Sequence, residues 1–285
     1  MSRPRIAPQR RRLAEPSHDT DRPAPLPPLR VVDLPSHGAE DVLVDDAGRV
    51  LTGTEDGCIF RVSPDGGVVE LVAETGGRPL GLEFLPDRTL LVCDAYRGLL
   101  HLDLRTETEE VWAYRVEGAP MMFCNNAAVA SDGTVYFTDS STRFGIEHWK
   151  ADLLEQSATG RLFRRTADGA VDLVCDGLSF ANGVALTDDE ESVVVAETAR
   201  CALRRVWLTD PRAGREEAFA PGLPGFPDNI STGSDGLVWV SVASPRDRAL
   251  ELLAPRWPLL RRLVWALPER MQPSPARTVR VQAYD

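Results

Sequence analysis

The chain has one lysine, Lys150, and four histidines among 285 residues. Nearly all of its positive charge is therefore arginine, which reads as a base-composition signature rather than as chemistry. No Ser/His/Asp arrangement is evident and no GxSxG elbow occurs, so a serine-hydrolase triad is not expected. His37 precedes a candidate site by three residues, whereas His101 sits in an apolar run where packing is its expected use. The five cysteines form no CxxC pair, which argues against a zinc or dithiol motif. They read as free, mostly buried thiols of a reducing compartment. Cys124 adjoins a candidate residue but has no neighbouring histidine to activate it. Basic excess is also missing: the net charge of −11 argues against nucleic-acid binding. No run approaches the ~20 apolar residues of a membrane span. Residues 1–28 are rich in Arg and Pro, without the apolar stretch of a secretory signal. They read as a disordered tail, and the protein as cytoplasmic.

Helical periodicity is nearly absent before residue 145. In its place are short β-prone runs at 42–44, 50–53, 58–62 and 68–72, separated by Asp/Gly turns. Four such antiparallel strands make one propeller blade. The unit recurs through "GLEFLPDRTLLVCDAYRGLLHLDL", "AVASDGTVYFTDSS", "GVALTDDEESVVVAETARCALRRVWL" and "ISTGSDGLVWVSVAS". A β-sandwich also uses short strands and regular turns, but it does not repeat a four-strand unit at constant phase. The expected fold is all-β, a six-bladed β-propeller type over residues 29–285 with about five blades present and the last incomplete. The strand "LRVVDL" at 29–34 is placed to pair with a final blade, and its missing partner suggests a truncated product or a shortened gene model.

Counting back eight residues from Gly48, Gly133 and Gly236 lands on Glu40, Asn125 and Asp228. The same count from Glu190 lands on Asn182, and the remaining copy has Leu80 in this slot. Two carboxylates and two amide oxygens at one phase of a repeat suggest convergence on a hard cation. Asn and Asp more often cap turns, but four at one phase weaken that reading. Ca²⁺ suits the set best, with Mg²⁺, Mn²⁺ or Zn²⁺ as alternatives; zinc would normally recruit His or Cys. Glu55, Asp94, Asp139 and Glu197 end the second strands, as supporting or channel-lining acids or simply as solvated strand ends. Residues 143–159 look like a loop with a helical turn. Residues 246–268 recur at helical spacing and read as a lid, a membrane-surface helix or a helix on the rim.

The stretches "GAEDVLVDDAGRVLTGTEDG", "FCNNAAVASDGTVYFTDSSTRF", "LSFANGVALT" and "PGFPDNIS" resemble the calcium-dependent six-bladed propeller superfamily of senescence marker protein-30 and the gluconolactonases. Within it they are closest to strictosidine synthase-like proteins. The resemblance implies a metal held by Glu40, Asn125, Asn182 and Asp228, with Asn126 standing where the family motif has Asp. It also implies hydrolysis of a small lactone or ester, with Asp228 able both to ligate and to act as general base. Condensing members use a late glutamate in the region this chain lacks, so that activity does not carry over. The alternatives are a non-catalytic, metal-stabilised propeller that binds a ligand or partner, and a strictosidine synthase-like lyase or condensing enzyme.

Overall fold

The computed structural model describes residues 3–16, 28–274, 276 and 278–285. Five antiparallel sheets follow one another along the chain. Blade one comprises β1 (Leu43–Val44), β2 (Val50–Gly53), β3 (Cys58–Val62) and β4 (Val69–Glu74). Blade two comprises β5 (Pro79–Phe84), β6 (Leu90–Asp94), β7 (Gly98–Asp103) and β8 (Thr108–Ala113). A two-strand hairpin, β9 (Arg115–Val116) and β10 (Ala119–Pro120), leads to blade three. That blade is β11 (Cys124–Val129), β12 (Val135–Asp139), β13 (Gly160–Arg165) and β14 (Val171–Leu178). Blade four is β15 (Ala181–Leu186), β16 (Ser192–Glu197), β17 (Ala202–Trp207) and β18 (Glu216–Ala220). Blade five has three strands among the described residues, β19 (Gly225–Thr232), β20 (Val238–Pro245) and β21 (Arg280–Tyr284). The propeller meander is as expected. Residues 29–34 pair with no strand among those described, and Leu29 and Val31 are exposed.

The turn between the first two strands has one geometry in every blade. Gly48, Arg88, Gly133, Glu190 and Gly236 all have positive φ. Each amide N–H donates to the carbonyl three residues earlier, over 2.8–3.0 Å. This fixed turn is why a count of eight residues returns an equivalent position in each copy.

The core lies between blades rather than within them. Leu91, Cys93 and Leu99 of blade two pack with Phe137 and Phe163 of blade three. Leu162 and Leu178 of blade three meet Val184 and Val195 of blade four in the same way. Strands β6, β12 and β16 are buried along their whole length because both of their faces are covered. At the axis the inner strands approach too closely for side chains. A Cβ on Gly183 would lie 2.7 Å from Asp228 O and against the Ile230 amide nitrogen. One on Gly81 would lie 2.7 Å from Asn126 Cα.

The two insertions cap one end of the axis. The first contains α1 (Trp149–Glu155) and the second contains α2 (Arg248–Arg256) and α3 (Pro258–Ala266), with Pro258 opening α3. Residues 3–16, part of the segment expected to be disordered, instead lie extended across these helices. Ile6 is buried with Phe144, Ala151 and Trp265. Trp265 Nε1 donates to Pro4 O at 2.8 Å, and the buried Arg261 guanidinium donates to Leu154 O at 2.8 Å and to Gln9 O. The remainder of the expected tail, residues 17–27, lies outside the described residues.

Candidate functional site

Each inner strand from blade two to blade five is bulged where the slot residue sits. The register shifts fall between Pro79 and Leu82, Cys124 and Ala127, Ala181 and Val184, and Pro227 and Ile230. A bulge re-aims the side chains it carries. Here the slot residues Leu80, Asn125, Asn182 and Asp228 all line one cavity of about 1240 Å³, together with Glu40 from the lead-in to blade one. The structure thus brings together all four predicted oxygen-bearing residues.

The two asparagines are held alike. Asn125 Nδ2 donates to Ser140 Oγ at 3.0 Å, and Ser140 Oγ donates to Ala181 O of the next blade at 2.7 Å. Asn182 Nδ2 donates to Thr198 Oγ1 at 3.2 Å, which in turn donates to Pro227 O of the next blade at 2.7 Å. Asn182 Nδ2 also donates to Asp228 Oδ1 at 2.6 Å. With both amide nitrogens occupied, Asn125 Oδ1 and Asn182 Oδ1 are left buried without any donor. An unmet buried acceptor is costly, and two on one cavity mark a place for an electropositive group.

The two carboxylates feel the same deficit. Burial first, then the charge of Asp228, pushes the Glu40 carboxyl up to about 7, although Arg78 Nη2 stands 3.9 Å from Glu40 Oε2. Burial also raises the Asp228 carboxyl, against the hydrogen bond from Asn182. Just behind Glu40, Asp41 accepts from Leu82 N at 3.0 Å and from Asn126 Nδ2 at 3.3 Å. Burial still lifts it to about 6. Asn126 Oδ1 accepts from Val184 N at 3.2 Å, so this amide ties β11 to β15 and to the lead-in to blade one. Paired buried carboxylates and orphaned amide oxygens are the donor chemistry of a hard divalent cation. Among the described residues lining this cavity there is no His or Cys, the donors zinc usually recruits.

The strand-end acids divide. Glu55 lines the cavity. Asp94, Asp139 and Glu197 are buried clamps. Asp94 Oδ1 accepts from the Tyr96 and Arg97 amides, Asp139 Oδ1 from Phe123 N at 2.8 Å, and Glu197 Oε1 from Ser179 N at 2.9 Å. They are neither solvated nor part of the lining. His37 is exposed, and His101 stacks on Trp112 at 4.6 Å, as packing predicts. Cys124 is buried, and burial drives its thiol well above the usual range.

Sequence reasoning missed the hydroxyl anchors, although a signal was present. Ser140 and Thr198 directly follow the strand-end acids Asp139 and Glu197, whereas Ala95 follows Asp94 in the blade whose slot holds Leu80. The apolar mouth was missed as well. Phe123, Phe180, Ile146, Trp149 and Leu153 line the same cavity as the oxygens.

Bulged inner strands around an axial cavity define a β-propeller with oxygen-bearing side chains gathered on its inner strands. The fold is shared with a gluconolactonase of Xanthomonas campestris, at TM-score 0.61 and 18% identity over 73% of this chain and 71% of that one. It is shared also with a calcium-binding protein, regucalcin, of Agrobacterium tumefaciens, at TM-score 0.57 and 19% identity over 73% and 68%. The strictosidine synthase family model matches residues 125–211, and the strictosidine synthase-like N-terminal model matches residues 26–62. Adipocyte plasma membrane-associated protein of Rattus norvegicus is 33% identical over 84% of this chain and 68% of its own length. Protein strictosidine synthase-like 6 of Arabidopsis thaliana is 36% identical over 77% of this chain and 59% of its own. The chain belongs to the strictosidine synthase-like family, and it spans from about half to about two thirds of the length of its first matched relatives.

Proposed function

We propose that the protein is a metal-dependent hydrolase of lactones or esters, with the cation held by Glu40, Asn125, Asn182 and Asp228. The observation that carries this reading is the pair of buried, donorless amide oxygens, Asn125 Oδ1 and Asn182 Oδ1, lining one cavity with two carboxylates whose proton affinity is raised. The fit is best for Ca²⁺, which accepts six to eight oxygens. When bound, such a cation supplies Lewis-acid polarisation of a carbonyl.

The chain's own residues do the rest. Asn182 fixes one oxygen of Asp228, leaving the other to take a proton from water. The water oxygen forms the new bond to the carbonyl carbon. The ring C–O bond then breaks, its electron pair stays on the ring oxygen, and that oxygen receives the proton held by Asp228. The product of a lactone is the hydroxy acid. Side chains of α1, α2 and α3, among them Trp149, Leu250 and Val264, line this cavity and narrow the space open to further water.

A panel of lactones and aryl esters, assayed with Ca²⁺ and with chelator, tests the reading. Turnover abolished by chelator and restored by Ca²⁺ is expected, together with a Ca²⁺-dependent rise in melting temperature that Asp228→Asn and Asn125→Leu both remove. Turnover indifferent to chelator would sink it. A melting rise with no turnover would favour the second reading, a ligand-binding propeller with a structural cation.

A further inference from the structure

Resting on the hydrolase reading of the axial oxygens, we propose that the substrate carries a long apolar tail, and that Trp149 and Leu153 of α1 set the tail length accepted. The polar floor of the cavity is confined to the blades whose slots hold oxygen. Blade two breaks the pattern by presenting Leu80, with Ala95 in place of a hydroxyl anchor. Leu80, Ala95, Phe123, Phe180 and Ala199 form one buried apolar cluster, with Ile146, Trp149 and Leu153 packed over it.

Phe123 and Phe180 immediately precede two inner strands and meet edge to face at 5.5 Å. Both rings line the cavity that Asn125 and Asn182 also line, each two residues before its asparagine in sequence. Trp149 and Leu153 are four residues apart on α1, so one helix face closes over the rings. The result is a cavity with hard oxygens at one end and an alkyl and aromatic wall beside them.

Such a wall discriminates by chemistry. A polyhydroxylated sugar lactone would place hydroxyls against Leu80, Phe123 and Phe180, where they find no partners and lose their water. An alkyl or aryl tail loses nothing there and gains roughly fourfold in affinity for each methylene removed from water. At about 1240 Å³ the cavity holds more than a lactone ring, since typical small-molecule sites span ~300–1,000 Å³.

The test uses the full chain with Ca²⁺ and three probes: γ-lactones bearing alkyl tails of increasing length, a polyhydroxylated aldonolactone, and 2-alkyl tetrahydrofurans that lack the carbonyl. For the lactones, kcat/KM is expected to climb by roughly threefold to fourfold per methylene until the wall is filled. The aldonolactone should be the poorest substrate. The ethers should bind by calorimetry with the same dependence on tail length. Leu153→Trp fills the wall and should shift the best tail to a shorter one in both assays. Leu153→Asn should flatten the series in both assays while the Ca²⁺-dependent rise in melting temperature persists.

Metal-dependent turnover that prefers the aldonolactone, or ignores tail length, overturns this inference and leaves the hydrolase reading standing. Tail-dependent ether binding without turnover does the reverse. Absence of both overturns both.

Discussion

At the scale of single residues, the site depends on which end of each amide is occupied. Ser140 and Thr198 take the nitrogen ends of Asn125 and Asn182 and so turn both oxygens toward the cavity. Supporting hydrogen bonds of this kind typically govern metal affinity by 10–100-fold. Ser140→Ala and Thr198→Ala are therefore expected to weaken Ca²⁺ binding by about tenfold each, read as a displaced Ca²⁺ titration of the melting temperature. A second residue-level consequence concerns Glu83. Burial, reinforced by Asp41, pushes its carboxyl up to about 8 from an ordinary 4.5. The folded state then holds a proton that the unfolded state has lost, so this group's contribution falls as pH rises from about 4.5 through about 8. Glu83→Gln should leave stability near pH 4 unchanged and raise it at pH 8–9 by on the order of 1–3 kcal/mol. Urea midpoints across that range give the answer, and an unchanged pH slope would count against it.

At the scale of elements, the inner strands do the positioning. In blades two to five the bulge holds the residue eight positions before the sharp reversals at Arg88, Gly133, Glu190 and Gly236, and Glu40 stands at the same offset from Gly48. That constant offset is what made Glu40, Asn125, Asn182 and Asp228 legible in the sequence. Ser140 and Thr198 were less legible because their decisive bonds cross to the next blade, over 41 and 29 residues. Turn chemistry is local and sequence shows it; a hydroxyl reaching a neighbour's carbonyl is not. The course of residues 3–16 was hidden for the same reason, since an Arg/Pro-rich stretch shows no period yet finds its hydrogen-bond partners and its pocket more than 100 residues away. Close strand approach yields its own prediction. Gly183→Ala sets a methyl against the backbone of β19, which cannot withdraw without moving Asp228. A loss of about 2–4 kcal/mol in denaturant unfolding is expected, with Ca²⁺ affinity falling alongside. The same substitution at Gly118, where a Cβ meets nothing within 4 Å, is not a fair control, because its φ of +80° carries its own strain.

At the scale of the whole molecule, no blade owns its core. Each sheet is buried by its neighbours, so a truncation such as Phe137→Ala damages blades two and three together, by roughly 3–5 kcal/mol. The thiols report on the same organisation. Cys93, Cys124, Cys175 and Cys201 are buried between or beneath blades, and burial raises the Cys175 and Cys201 thiols to about 12 and about 11. Only Cys58 is partly exposed. A thiol reagent should therefore modify Cys58 first in the native protein and the other four only on unfolding, as mass spectrometry of the labelled chain would show. Early labelling of Cys124 would mean that the seam between blades two and three opens in the native state.

The extended segment 3–16 gives the mouth an unusual kind of hinge pin. It joins α1 and α3, which arise from insertions in different blades, through Glu155, Arg261 and Trp265. Relative sliding of those helices must first break a non-repetitive piece of chain away from both. Substitutions at Pro4, Ile6 or Gln9 can accordingly change how readily ligands enter and leave, while the blades and their oxygens stay untouched.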